Sequence, residues 1–507
     1  MRLKKVLCVL LAVLSLTAVL PLCVSADTNL KEADVSKYPI IHFTGNMHAL
    51  FINEGKTIFN PASMGTEMTK READLNAAIS ALDLNKALDI AIEIFWAVLG
   101  PVQMNEDGDS INKNITCKHG TVANGVKWIG RYFFNFDWRL DPVENADILA
   151  KYVDEICKKE GKDKVNMYAV SGSGSILLAY LAKYGTSKVA SVVENITMQN
   201  GTSFFGALAT RDMTLNTEVL GHAKEVNGKS MADYSDLLQG LYNTGLLDIL
   251  ERIAKIMSPV AVNKLYEEAI IPLIFQMPAF WSYVPIKDYE LAKAKLGFSK
   301  TNKYAKLVAK MDHYFYDIVA KQNQILDDVY SKMKFAVRAG YGRYNYPIGH
   351  NAFVTTDTTV DTKYATFGAT CALPEHPFSP LHIQLDLSCG HNHVSPDHMV
   401  DASTCRYKEV TWIALNQRHQ SEYSYSGWYE WWLQAKNPTV NSNPVFPQFS
   451  VWVAANKQRT GWDTFVTQDE SYAPNYFVEF FEGVWGLLLG VWRYVWKLPT
   501  IWLDLIF

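Results

Sequence analysis

A chain of 507 residues, 49% of them apolar and 20% charged, is long enough to bury a large core and to carry at least one further subdomain. Its net charge of -4 gives no electrostatic case for a nucleic-acid partner. Aromatic residues concentrate late in the chain, with tryptophans clustered at 428–432 and again from 485 onward, a skew that points to lipid or carbohydrate surfaces.

The first residues carry Arg2, Lys4 and Lys5, then an apolar run from Val6 to Val24, then the small-residue sequence Val24-Ser25-Ala26. That order is a secretory signal peptide over 1–26, so a secreted or extracellular location is expected. Removing Cys8 and Cys23 with the signal leaves Cys117, Cys157, Cys371, Cys389 and Cys405. In an oxidising compartment Cys389 and Cys405, which bracket a short loop rich in Gly, His, Asp and Pro, are the expected disulfide. Asn-x-Ser/Thr sequons occur at Asn114, Asn195 and Asn200; the last two fall on or just after a core strand and read as incidental, which suits a bacterial exported protein.

In chain order, Tyr38-Pro-Ile-Ile-His-Phe-Thr-Gly45-Asn46 reads as an apolar strand ending in a glycine turn. Residues 72–100 read as helical and 104–125 as a surface loop. Phe134-Asn-Phe-Asp137-Trp138-Arg139 ends a strand, and Ile148, Leu149, Tyr152, Val153 and Ile156 then mark one apolar helix face. Asp137 and Arg139 read as a structural pair. Next, Val165-Asn-Met-Tyr-Ala169-Val-Ser171-Gly172-Ser173-Gly174 runs from an apolar strand through tiny residues straight into an amphipathic helix ending at Gly185. Strand, helix and strand make a βαβ unit of a parallel sheet. Lys188–Ile196 is the next strand, followed by Thr197-Met-Gln-Asn200-Gly201. Some 130 residues of helical periodicity, 206–333, then read as a cap inserted between sheet strands. The sheet resumes at Phe335-Ala-Val-Arg-Ala-Gly340-Tyr341, and Glu409–Leu415 is a further strand.

The sharp turn at Ser171 is how a nucleophile elbow is built, because small neighbours at positions two before and two after keep the strained serine clear of the adjacent strand. Here those neighbours are Ala169 and Ser173, where the usual pattern has glycines. With Asp137-Trp138-Arg139 upstream, the chain resembles the α/β-hydrolase lipases, nearest the branch with lecithin:cholesterol acyltransferase and bacterial secreted triacylglycerol lipases. The resemblance is closest over 38–205, moderate over 270–435 and absent at the C-terminus. It implies an α/β-hydrolase fold, a mainly parallel sheet flanked by helices with a helical cap. It also implies that the residue after Gly45, Asn46, and the residue after the serine, Gly172, donate backbone N–H groups to an oxyanion. Thr197–Thr202 matches the loop where related lipases carry Thr-Pro-His-Asn-Gly. Met277-Pro-Ala-Phe-Trp281-Ser-Tyr-Val-Pro285 resembles the Pro-x-x-Trp-x-x-x-Pro stretch of the acyltransferases; aromatic residues exposed on a lid would suit a lipid, and plain packing of the cap on the sheet is the alternative for each of them.

A serine hydroxyl needs a histidine to take its proton and a carboxylate to hold that histidine, in the order Ser, Asp, His. Asp397-His-Met-Val400 parallels the family's Asp-Gly-x-Val turn, which makes Asp397 the expected acid, with Asp401 its rival and Asp386 a weaker third. His419 is the only histidine after His398 and is the expected base. His391, His393 and His398 with Asp397 offer zinc or calcium ligand types, but no regular spacing supports a site, and no metal or other cofactor is expected.

The expected organisation is signal 1–26, hydrolase core 27–205, cap 206–333, core 334–438, extension 439–475 and an apolar aromatic-rich segment 476–507. The expected activity is cleavage or transfer of an acyl group of a lipid or apolar ester through an acyl-serine. The alternative is a non-catalytic scaffold of the same fold that binds lipid or a cell-envelope partner. The final segment is apolar nearly all round and its longest charge-free run, Gly483–Trp492, is too short to span a bilayer, so it reads as an interfacial helix or equally as a terminal helix docked on the domain. Interfacial burial of its tryptophans and leucines is favourable by about 1.5–3 kcal/mol each. Removing 476–507 is therefore expected to lower co-sedimentation with liposomes; equal binding by the full and shortened chains would remove this role.

Overall fold

Parallel strands buried on both faces read as unbroken apolar runs, and two such runs, Val165–Val170 and Val189–Asn195, form the centre of the fold. The computed structural model describes residues 30–451, apart from 46–47, 54, 61–62, 81–82, 123–129, 215, 222–258, 300, 418 and 420–425. The expected signal peptide, Asn46 and the 476–507 segment lie outside the described residues.

Eight strands make the main sheet: β1 (Ile40–Phe43), β2 (Gly120–Thr121), β3 (Tyr132–Phe134), β4 (Val165–Val170), β5 (Val189–Asn195), β6 (Lys334–Tyr341), β7 (Thr411–Leu415) and β8 (Phe449–Val451). Their spatial order is β8-β7-β6-β5-β4-β1-β3-β2. Every neighbouring pair is parallel except β2 with β3. The chain therefore has a mainly parallel sheet flanked by helices, an α/β fold. Two stretches differ from their reading as loop and extension. Within 104–125, Gly120–Thr121 closes one sheet edge, and within 439–475, Phe449–Val451 closes the other. Both are too short to show a periodicity.

Parallel neighbours require crossovers, which helices α1 (Pro142–Glu160) and α2 (Ser173–Tyr184) supply around β4. The Asp141 carboxylate caps α1 by accepting from the Val143 N–H, Pro142 takes the first turn, and Gly161 ends it at φ 62°. Asn195 is fully buried on β5, and the Asn200 amide donates to the Tyr364 carbonyl and accepts from Gln322, so these two sequons serve the interior.

Helix α3 (Ser426–Gln434) covers the sheet with Trp428, Tyr429 and Trp432, all buried. Trp428 meets Trp412 edge-on at 5.2 Å, and Tyr429 meets Tyr168 at 5.1 Å. The tryptophan cluster at 428–432 is thus core packing and not the ligand surface expected from composition. Between β5 and β6, where most of the described residues are helical, the aromatic residues take the packing role. Phe280, Trp281 and Tyr283 are buried, with Phe280 against Trp138 and the Trp281 N–H donated to the Phe275 carbonyl. This stretch is packing for the insertion. Gly201, at φ 82°, admits it, because a Cβ there would lie 2.4 Å from the Pro285 nitrogen.

Residues 381–387 have the reverse of a normal amphipathic strand. His382 meets Asp401, Gln384 donates to the Asp386 and His391 carbonyls, and Asp386 pairs with Lys408. Leu381, Ile383, Leu385 and Leu387 are left 63–87% exposed.

Just after β3, Arg139 grips Asp137 through two parallel contacts, Nε to Oδ1 at 2.9 Å and Nη2 to Oδ2 at 2.6 Å, and also donates to the Val102 carbonyl and Ser110 Oγ. Both side chains are buried. Removing one partner strands the other charge, so Arg139→Ala is expected to cost about 3–5 kcal/mol in urea unfolding. A loss below about 1 kcal/mol would mean that water replaces the pair.

Candidate functional site

Ser171 follows the last residue of β4 and precedes α2 by one residue, and its backbone sits at φ 57°, a left-handed conformation that a non-glycine residue enters at a cost. Hydrogen bonds hold it there. The Ser171 N–H donates to the Asn195 carbonyl, and the Ser171 carbonyl accepts from Gly174 and Met198. Ser173 is more than a small spacer, since its hydroxyl accepts from the Val170 N–H at 2.8 Å and donates to the Val170 carbonyl at 2.7 Å. Gly174 has to be glycine because a Cβ would lie 2.6 Å from that of Thr197.

The turn aims the Ser171 hydroxyl at His419, with Oγ 2.7 Å from Nε2 and 3.5 Å from the Met198 sulfur. The other imidazole nitrogen, Nδ1, is 2.8 Å from Oδ2 of Asp357. Asp357 is buried, and its Oδ1 accepts the N–H groups of Thr359 and Val360 at 2.9 and 2.7 Å. The His419 N–H also donates to the Asp357 carbonyl at 2.9 Å, so backbone and side chain fix the same pair. With Oδ2 accepting from Nδ1–H, Nε2 presents its lone pair to the serine proton, the tautomer that deprotonation of a hydroxyl needs.

Asp357 replaces Asp397 as the carboxylate at His419. Asp397 accepts from the Tyr341 hydroxyl at 3.0 Å and from Ser395 at 2.6 Å. Asp401 is bound to His382 and the Leu385 N–H, and Asp386 to Lys408. The spacing Asp-x-x-Val occurs three times after β6, at Asp357…Val360, at Asp397…Val400 and at Asp463…Val466, of which the last follows His419 and lies outside the described residues. The first copy is the one whose loop folds back over the end of β6: Thr355 accepts from the Gly342 N–H, Thr362 donates to the Gly340 carbonyl, and Asp361 accepts from Ser203. A Cβ on Gly340 would lie 2.9 Å from that of Asp357 and 3.1 Å from that of Gln417, so glycine alone lets both loops meet here.

Gly172 opens α2, where N–H groups have no partner within the helix and favour negative charge. Gly45 approaches closely: a Cβ there would be 3.7 Å from that of Ser171.

The expected Cys389–Cys405 disulfide is absent, and the five cysteines among the described residues are free thiols. Cys389 lies 3.1 Å from His393, whereas Cys405 is buried with Tyr341, Val400 and Ile413. The two side chains turn to opposite purposes. Burial pushes the Cys405 thiol up to about 12.

No protein-family model matches the chain, and comparisons with curated proteins and with solved structures found no match either.

Beneath the serine turn, Glu194 is fully buried, and burial pushes its carboxyl up to about 8 while Thr197 and Gln199 hold it lower than burial alone would. The folded state therefore keeps a proton that the unfolded chain releases near 4.5. Stability from the protonated form is complete below 4.5 and falls as pH rises towards 8, by up to about 1.4 kcal/mol per pH unit. Glu194→Gln is expected to flatten urea-unfolding stability between pH 5 and 8; parallel curves for the two proteins would show that Glu194 ionises normally.

Proposed function

We propose that the chain is an exported serine hydrolase of the α/β-hydrolase type, with a helical cap, that cleaves or transfers the acyl group of a lipid or other apolar ester. The observation that carries the reading is the continuous relay from Ser171 Oγ through both nitrogens of His419 to buried Asp357. Ser171 attacks the ester carbonyl as His419 Nε2 takes its proton. Asp357 holds the ring and stabilises the imidazolium. The amide of Gly172, with that of Asn46, binds the developing oxyanion. His419 then returns the proton to the leaving alkoxide, leaving an acyl-serine that water or a second alcohol resolves by the same steps in reverse. The likeness in motif to lecithin:cholesterol acyltransferase and the bacterial lipases belongs to this proposal. The outward aliphatic stripe Leu381, Ile383, Leu385 and Leu387 supports a substrate presented in a lipid aggregate, where apolar surface gains by leaving water.

Fluorophosphonate labelling of the full chain tests the reading. Wild type is expected to be labelled at Ser171 and to hydrolyse apolar esters, while Ser171→Ala and His419→Ala lose activity to a similar extent, since such residues act as a unit. Asp357→Asn is expected to reduce kcat by about 10³–10⁴-fold through the wrong tautomer. Asp397→Asn should stay within about threefold of wild type, as it makes no contact with His419. A folded wild-type protein that does not label at Ser171 would favour a binding scaffold instead. Ile383→Ser with Leu385→Ser is expected to lower activity on emulsified ester and to spare a water-soluble one; equal effects on both would detach the stripe from substrate.

A further inference from the structure

A second cluster of chemical groups lies apart from Ser171, where Cys389, His391, His393 and Glu409 each turn one ligand atom inward, all four atoms within 4.8 Å of one another. We propose that these four side chains bind one zinc ion and that the ion is structural.

The polypeptide builds the convergence from two places. Cys389-Gly390-His391-Asn392-His393 is a tight loop whose Gly390, at φ 73°, reverses the chain between the first two ligands. Gln384 pins this loop at its middle and at its last residue, donating to the His391 carbonyl and accepting from the His393 N–H. Glu409 comes from the single helical turn Lys408–Val410 that leads into β7. The ligand set differs from the one that composition suggests, since Asp397 is engaged by Tyr341 and Ser395, and His398 is not among the four converging residues.

Gln448 gives both amide hydrogens to backbone, to the carbonyls of Lys408 at 3.1 Å and Thr411 at 3.2 Å, which leaves its Oε1 facing Nδ1 of His393 at 2.7 Å. Nδ1 must therefore carry a ring proton, which leaves the Nε2 lone pair as the one a metal could take. That lone pair faces Glu409 Oε1 at 3.3 Å and the Cys389 sulfur at 3.1 Å, while His391 Nδ1 is 3.4 Å from the same Oε1. Cys389, His391, His393 and Glu409 each offer one lone pair to a cation placed between them. A tetrahedral zinc with bonds of about 2.0–2.3 Å separates its ligand atoms by about 3.3–3.8 Å, the spacing these contacts approach.

Thiolate and imidazole ligands with one carboxylate suit zinc. The Cys389 thiol loses its proton to solvent on binding, and thiolate plus carboxylate then balance the double positive charge. Outer partners are in place as well: Gln448 orients His393, and Asn441 donates to the second Glu409 oxygen at 3.4 Å. Lys408, the nearby cation, is occupied by Asp386 and Ser388. His393 is buried and His391 half-exposed, which leaves an entry path from solvent. Four protein ligands leave no open coordination position, and Glu409 precedes β7 whereas His419 follows it. The ion would tie residues 389–393 to the root of the strand that delivers His419.

Full-length protein expressed with added zinc and purified without chelator is expected to contain about one zinc per chain. Cys389→Ser should bind less than a tenth of that, and Gln448→Ala, which keeps all four ligands, should bind zinc about 10–100-fold more weakly. Cobalt substitution is expected to give a thiolate-to-cobalt charge-transfer band in wild type that Cys389→Ser lacks. Should the variants fail to fold, alkylation of wild type decides the matter: Cys389 should be protected with zinc and react after chelation. Absence of bound zinc, or Cys389 that alkylates equally with and without zinc, would overturn the site. These readouts do not depend on ester hydrolysis.

Discussion

The common direction of β4, β5, β6 and β7 is the constraint from which the rest follows. Parallel pairing aligns Val170 with Asn195, Asn195 with Arg338, and Leu415 with Tyr341, so the carboxyl ends of four strands lie along one edge. Whatever leaves those ends must share that edge. Ser171 leaves β4, Asp357 sits in the excursion after β6, and His419 follows β7. Residues separated by 248 positions in the chain are hydrogen-bonded because the sheet reduces that separation to three strands.

Meeting on one edge is not enough, since the three loops must also approach within hydrogen-bonding distance, and small residues permit this. Gly340 lets Asp357 and Gln417 pack over β6, Gly174 clears Thr197, and Gly45 lies beside Ser171. Left-handed backbone also occurs where the groups converge, with Ser171 at φ 57° and Thr358, directly after Asp357, at φ 89°. Such conformations persist because surrounding bonds over-determine them. Here the Asn195 carbonyl, the Met198 N–H and the Val360 N–H supply those bonds. The same loop that holds Asp357 is anchored through Asp361 to Ser203, so the insertion after β5 and the site are mechanically joined.

Polar side chains that point inward organise the region 376–405. The backbone ladder that reaches it, Thr370–Cys371 with Val400–Asp401, is short, and the side chains of Asp401, Gln384 and Ser395 take over the work of hydrogen-bonding the chain. Turning the polar side chains in leaves the leucines out. That inversion explains why the alternating stretch 381–387 forms no strand, and why the cysteine after it sits against histidine instead of a second cysteine.

The amino-acid sequence by itself determined the parts whose signal is local. An apolar strand, tiny residues and an amphipathic helix sufficed to mark Ser171, because the backbone strain there is relieved only by small neighbours close in sequence. His419 followed from chain order, there being no later histidine. The buried core strands were legible as unbroken apolar runs. Only the tertiary structure decided between Asp357 and Asp397, since both carry the same Asp-x-x-Val spacing and differ in which loop folds back over β6. It likewise turned Trp428 and Trp432 into core, and it separated Cys389 from Cys405. Each of those outcomes depends on which surfaces distant segments bury against one another, and periodicity within one segment carries no record of its partner.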